Sequence, residues 1–595
     1  MKLLIRVSIN FMKSFVGLFS DDFRSYFRKN NFLLTRYSSL IRRVGYFPGS
    51  LSKLELQNQY KKNLSHQRTV IDSIESQELR DTLSLVVVLD VRALDSLPKL
   101  VDSIAGLEQS FSNNIILTDI SSIDKVKSKV SELNQSPLYN MHIVSDLRAF
   151  SGEFFAIRGN DRVHPSLVKC LCYFKPKCGD IGYVDIDKYS IQCGSRHSPK
   201  FFPDWNPELH LTTDYIKTGI WGRDISALSR TLTRHGISFD AITKWMTLYY
   251  LSCKKLKVSH IPLTLVHTIE DTDDDRELSH ECSKAIGSAY NCDIDVVDGY
   301  RKLSFSGNNN SPLVSIVIPT RNAMNLVRQC IESIYSKTSY PNFEILLVDN
   351  NSDDLDSISY FSSLESSGLV TLLHFGGDFN YSAINNFAVE RCNGEIIALL
   401  NNDIEVVAED WLDNMVGLAS LDGVGAVGAK LLYPNNTIQH AGVVLGYGGG
   451  AGHAHKYFPY NEKGYLNRIA ATNCYSAVTA ACLVVTKSNY DNVKGLNETD
   501  LSVAFNDVDF CLKLLNLGKR NIYCAEAVLY HHESVSRGLD NTEVKRVRFL
   551  NELKYLQTTW CAYIDNDCNY NLNLTTQREN FSISQSDRIS SLNRE

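Results

Sequence analysis

The feature that most constrains this chain is a set of short, β-branched apolar runs, each ending in polar residues. In the second half these are Leu313 to Thr320, Phe343 to Asn350, Leu369 to Phe375 and Glu395 to Asp403, with a helical stretch, Met324 to Lys337, between the first two. Uninterrupted apolar runs of this length suit strands buried on both faces. Strand, helix and strand at this spacing predict βαβ units, and so an α/β fold with a largely parallel sheet. In the first half, Leu83 to Val91 and Asn113 to Ser121 repeat the pattern. A polar, turn-forming stretch at 304–312 separates the two regions and reads as a linker.

The 595 residues allow two or three domains with proper cores. The expected division is a basic N-terminal region at 1–75, a first α/β domain at 76–303, the linker at 304–312, a second α/β domain at 313–560 and a polar tail at 561–595. The Asn-, Ser- and Thr-rich tail predicts loose packing or partial disorder. A net charge of −6 and a pI near 6.2 argue against a nucleic-acid partner. No apolar run approaches the ~20 residues that cross a bilayer. Fifteen scattered cysteines without a paired CxxC argue against a zinc site, and predict reduced thiols and a cytoplasmic location.

The first residues carry an apolar stripe at helical spacing (Ile5, Ile9, Met12, Val16, Phe19, Phe23) with Arg6, Lys13, Arg24, Arg28 and Lys29 between. Such a helix either lies on an anionic membrane through residues 1–43 or packs on the protein's own core.

In a parallel sheet, ligands sit at the carboxyl ends of the strands. Three strand-end clusters are therefore the first candidates: Pro319-Thr320-Arg321-Asn322, Asp349-Asn350-Asn351-Ser352-Asp353 and Asn401-Asn402-Asp403. Together they offer acceptors for a base and ribose, and carboxylate for a divalent ion bridging phosphates. Each alone also reads as ordinary turn chemistry. Asp507 and Asp509 open an apolar-periodic helix, where they are either helix-dipole partners or a general base. His531 and His532 follow a late apolar run and suit a metal or proton transfer. The glycine-rich Leu445 to Pro459 lacks a Walker ending and reads as a mobile loop; His453 and His455 within it read first as plain loop histidines.

In this order and spacing the segments VSIVIPTRN, ILLVDNNSDD, FNYSAINNFAVERCNGEIIALLNNDIEV, AVTAACLVV, FNDVDFCLKL and LYHHESVSRG resemble the family 2 glycosyltransferases, from about Ser311 to Gly538. The likeness is strongest to the rhamnosyltransferase-like branch that builds bacterial surface polysaccharides. The resemblance implies two tandem GT-A domains, Rossmann-like with a mostly parallel sheet, and an inverting, metal-dependent transfer from a nucleotide-sugar donor to a glycan or lipid-linked glycan acceptor. It implies that Pro319, Thr320, Arg321, Asn322, Asp349, Asn351, Asn386, Asn401 and Asn402 bind the donor. Asp403 and His531 would hold Mg²⁺ or Mn²⁺, and Asp507, supported by Asp509, would be the catalytic base. Rhamnose is the favoured sugar; a UDP-hexose donor and a non-catalytic glycan-binding scaffold are the alternatives.

The first half resembles a degenerate copy, clearest in GYVDIDKYS and PKFFPDWNPELHLTTDYI. Arg158-Gly159-Asn160-Asp161 stands where an acidic metal motif is expected, and Ser238 stands near the place of the base. The expectation is a domain that does not transfer sugar. Asp185 and Asp187 are its remaining candidates for holding an ion.

Overall fold

The computed structural model describes residues 53–593, apart from 76–82, 134–140, 175–178, 239, 254, 270–277, 306–310 and 533–541. The basic stripe of residues 1–43 and most of the 304–312 linker lie outside the described residues. No described helix is long and apolar enough to cross a membrane.

The first sheet contains β1 Leu83–Val88, β2 Asn113–Leu117, β3 Met141–Val144, β4 Glu153–Arg158, β5 Asp161–Val163, β6 Ile181–Ser190, β7 Ser195–Lys200, β8 Ile220–Gly222 and β9 Val258–Ile269. A hairpin follows, β10 Asp293–Val297 and β11 Tyr300–Ser304. The second half contains β12 Val314–Thr320, β13 Phe343–Asp349, β14 Thr371–His374, β15 Ile396–Leu400, β16 Ile404–Val406, β17 Val424–Leu432, β18 Ile438–His440, β19 Val443–Leu445, β20 Ala451–His453, β21 Asn473–Tyr475, β22 Cys482–Thr486 and β23 Arg520–His531. Five helices matter below: α1 Lys53–Ser73, α2 Pro207–Thr213, α3 Ala241–Ser252, α4 Asn506–Asn516 and α5 Glu543–Thr559.

The α/β class expected from the sequence is what the structure shows. The first sheet runs β3-β2-β1-β4-β8-β6-β9-β5 and the second β14-β13-β12-β15-β22-β17-β23-β16. Strand for strand the directions agree: the first four are parallel, the next two pairings antiparallel, then one parallel and one antiparallel. The same topology is thus built twice. The apolar runs explain the parallel cores: β1 and β12 are buried along their whole length.

Polar groups hold the halves together. Asn206 caps α2 by accepting from Leu209 N, and Pro207 fixes its first turn. The same Asn206 amide donates to Cys474 O in the second half, and Arg520 Nε bonds Glu208 Oε1 at 2.7 Å.

The tail corrects the composition-based expectation of loose packing. Asn569 to Thr575 are buried. Asn571 Nδ2 donates to Asp185 Oδ2 and Phe202 O, and Asn573 Nδ2 to Pro262 O. Asn573 Oδ1 in turn accepts from Asn63 of α1. Buried amides are stable once their hydrogen bonds are met, so a polar tail serves here as a clasp.

Candidate functional site

Parallel pairing brings the carboxyl ends of β12, β13 and β15 to one edge. Asn322 is in the left-handed region (φ 54°), which asparagine tolerates. Its side-chain Oδ1 accepts from Asp353 N and Asp354 N, its backbone N–H donates to Ser352 Oγ, and its side-chain Nδ2 donates to Asp353 Oδ1. Asp349 is buried and accepts from Ser352 N at 3.0 Å. Asn350 N donates to Thr320 O, and Asn351 Nδ2 donates to Gly377 O. Arg321 stays exposed, 3.5 Å from Asp353. Pro319 is buried within β12. Asn402 Nδ2 donates to Thr320 Oγ1 at 2.9 Å and so ties the third cluster to the first.

The metal pair is assembled by antiparallel pairing. Ile404 of β16 lies opposite His531 of β23, and His532 N donates to Asp403 O. This sets His531 Nε2 at 3.1 Å from Asp403 Oδ1, both groups nearly buried. Gln439 of β18 accepts from His531 Nδ1 at 2.7 Å, and Asn401 Nδ2 donates to Nε2 at 3.3 Å. An amide oxygen only accepts, so Nδ1 carries a proton and Nε2 is the ring atom that faces Asp403. An imidazole nitrogen and a carboxylate oxygen 3.1 Å apart can share a proton or a cation. Among the described residues no three His, Cys, Asp or Glu side chains converge as a metal cage. A two-ligand set fits a cation that draws its other ligands from substrate phosphates and water.

Asp507 lies in the first turn of α4. Its Oδ2 accepts from Ala480 N at 3.1 Å, and Tyr381 OH donates to Ala480 O, fixing that peptide. Burial pushes the Asp507 carboxyl above the usual carboxylate range, against the opposing hydrogen bonds from Ala480, Thr479 and Val508. Asp507, His531, Asn401, Gln439 and His453 line one cavity of about 160 Å³. The base candidate and the metal candidate therefore face the same space.

Two sequence-expected residues stand elsewhere. Asp509 is buried in an ion pair with Lys513 at 2.8 Å, accepts from Trp560 Nε1, and is not among the residues lining this cavity. Asn386, expected among the donor-binding residues, is engaged with another part of the fold. Its oxygen accepts from Tyr490 OH and Leu496 N, and its amide donates to Leu496 O and Glu498 Oε2. These bonds brace the 495–498 loop and Tyr490.

Sequence reasoning missed Tyr381, Gln439, His440 and the role of His453. His440 Nε2 accepts from Gly442 N, so its Nδ1 donates to His453 Nδ1 at 2.8 Å. Burial pushes the His440 pKa well below its ordinary value. His455, by contrast, is buried and stacked on Phe581. The signal for Gln439 and His440 is a three-residue strand, too short for periodicity to register.

The first half repeats the geometry without its openness. Asp161 takes the place of Asp403 and His267 that of His531. Asp161 accepts from Arg158 N, Thr218 Oγ1 and Thr268 Oγ1. Asp187 is held by His267 Nδ1, Arg196 Nε and Tyr60 OH, the last from α1. Asp185 accepts from Phe202 N, Asn571 and His260. These carboxylates are already surrounded by donors, so an ion at the candidate pair Asp185 and Asp187 does not fit. Ser238 Oγ donates to Asp240 beside α3 and adds no base.

Comparison with known proteins agrees with the second half's pattern. Residues 315–480 match the family model described as Glycosyl transferase family 2. The chain is 40% identical over 426 residues to an uncharacterized protein of Sinorhizobium fredii, covering 68% of this chain and 46% of that one. It is 33% identical over 374 residues to the O-antigen biosynthesis protein RfbC of Myxococcus xanthus, covering 60% of this chain and 29% of that one. A lower similarity, 24% over 223 residues, joins it to an O-antigen chain rhamnosyltransferase of Salmonella typhimurium, covering 37% of this chain and 66% of that one. The chain thus spans less than half the length of the first two relatives. The segment that carries Thr320, Asp349 and Asn401-Asn402-Asp403 is the one that matches the glycosyl transferase family 2 model.

Proposed function

We propose that the second half of this chain is an inverting GT-A glycosyltransferase that moves a sugar from a nucleotide-diphosphate donor to a growing surface polysaccharide. The observation that carries the reading is the shared cavity: Asp507 and His531 line it together, and His531 touches Asp403. The family match over 315–480 and the similarity to O-antigen proteins support the reaction class.

The residues divide the work. Thr320, Arg321, Asn322, Asp349 and Asn351 at the strand ends bind the base and ribose, with Asn401 and Asn402 beyond them. A divalent cation, held by Asp403 and His531, would supply charge for the departing diphosphate, a contribution of several kcal/mol. Gln439 fixes the His531 ring by its Nδ1 proton. The Asp507 carboxylate accepts the proton of the attacking hydroxyl. Its raised pKa makes it a stronger base than a surface aspartate. One displacement, with no sugar bound to the protein, inverts the anomeric centre.

Rhamnose carried on a deoxythymidine diphosphate is the favoured donor, on the similarity to the Salmonella rhamnosyltransferase. The acceptor is a lipid-linked glycan at the cytoplasmic face of a membrane, with residues 1–43 as the contact. The first half braces the second and does not transfer sugar, because Asp161 and Asp187 are engaged internally.

The experiment is a thermal-shift screen of dTDP-, UDP- and GDP-sugars with and without Mn²⁺ or Mg²⁺. A ligand that binds only the folded form raises the melting temperature. One nucleotide sugar raising it in a metal-dependent way is the expected result; no shift with any donor would favour the glycan-binding scaffold.

A further inference from the structure

The inner cavity has a neighbour. A larger concavity of about 560 Å³ is walled by the glycine-rich turn at 448–452, by Phe505, by Phe549 and Leu553 of α5, and by tail residues 576–579. The border between the two is Phe505, which holds the left-handed conformation (φ 60°, ψ 8°) just before α4. That conformation is strained for an L residue with a side chain, and such strain concentrates at functional sites. Its effect is to send consecutive side chains into different cavities: Phe505 lines the outer one, Asn506 and Asp507 the inner one. The opposite wall alternates in the same way, with Ala451 and Gly452 outside and His453 inside.

The outer concavity has the chemistry of a sugar site. The rings of Phe505 and Phe549 lie 5.4 Å apart and inclined at 42°, an open wedge of aromatic surface. The C–H face of a pyranose packs on such rings, while its hydroxyls need convergent polar groups. Thr576, Gln577 and Glu579 supply them, and the glycines at 448, 450 and 452 leave backbone close to the ligand. Burial holds the Glu579 carboxyl above its ordinary range, and its oxygens accept from sugar hydroxyls.

We propose that the outer concavity is the acceptor-glycan site, its pyranose packed on Phe505 and Phe549 and bonded by Glu579, with the reacting hydroxyl reaching Asp507 across the Phe505 border. The proposal rests on the transferase reading above and adds where the acceptor lies and which groups grip it.

The test uses the full chain and the methyl glycosides of rhamnose, galactose, mannose and N-acetylglucosamine as probes, followed by saturation-transfer NMR with saturating nucleotide and Mn²⁺. Wild type is expected to bind at least one glycoside. Phe549→Ala and Glu579→Gln are each expected to weaken it fivefold or more. Phe549 is 39% exposed, so its truncation spares the fold; nucleotide binding by both variants serves as the folding control. Nucleotide binding with no glycoside bound by wild type, or with both variants binding the glycoside as tightly as wild type, overturns the acceptor site alone. Failure of wild type to bind any nucleotide overturns the transferase reading and this one with it.

Discussion

His531 Nε2 stands 3.1 Å from Asp403 Oδ1, and its other ring nitrogen is pinned by Gln439 at 2.7 Å. Gln439 is therefore a positioning residue acting through His531. Gln439→Leu is expected to weaken metal-dependent nucleotide binding about 10–100-fold, while Gln439→Glu, which still accepts from Nδ1, restores most of it. Titration calorimetry with Mn²⁺ and with EDTA checks this. An equal loss under both conditions would contradict action through the metal ligand.

The clasp between the halves should be pH-sensitive. Burial alone would lower the His260 pKa, but the adjacent Asp185 and Asp204 outweigh it and raise it to about 9. A raised histidine pKa contributes stability that is fully present below the unfolded value of about 6.5 and is lost as pH rises through about 9. Melting temperature should therefore fall between pH 7 and pH 9.5, and His260→Asn should flatten that fall. An unchanged slope in the variant would contradict the assignment.

Asp161 tests the first half's role. Its removal by Asp161→Ala takes the acceptor from the Thr218 and Thr268 hydroxyls and one of two from the Arg158 N–H. A loss of about 2 kcal/mol or more in denaturant melts is expected, with metal-dependent nucleotide binding unchanged. Lost nucleotide binding in a variant that stays folded would assign the first half a substrate.

The wild-type rate should fall as pH falls through the raised pKa of Asp507, because only the ionised carboxylate accepts a proton. A pH–rate profile with its acid limb above the ordinary aspartate range checks this; a limb at the ordinary value would remove the burial argument.

Strand-end clusters were legible in the sequence because a buried parallel strand is one continuous apolar run, so its polar end stands out. Thr320, Asp349 and Asp403 were found that way. The engagement of Asn386 with the 495–498 loop was not legible, because its helix and motif say nothing of that loop. Gln439 and His453 reach the site on three-residue strands, and Tyr381 from the first turn of a helix by a long-range bond to Ala480 O, none of which a local period records. The tail was misread because asparagines that are solvated and asparagines that are buried and bonded have the same composition; only Asp185 and Pro262, hundreds of residues away, tell them apart.

The central claim is that Asp507 takes the acceptor's proton in the cavity it shares with His531. Its most direct test is the single-turnover transfer rate of Asp507→Asn beside wild type, with Mn²⁺ and the nucleotide sugar identified by thermal shift. A fall of about 10²–10⁴-fold is predicted; a rate equal to wild type would contradict the account.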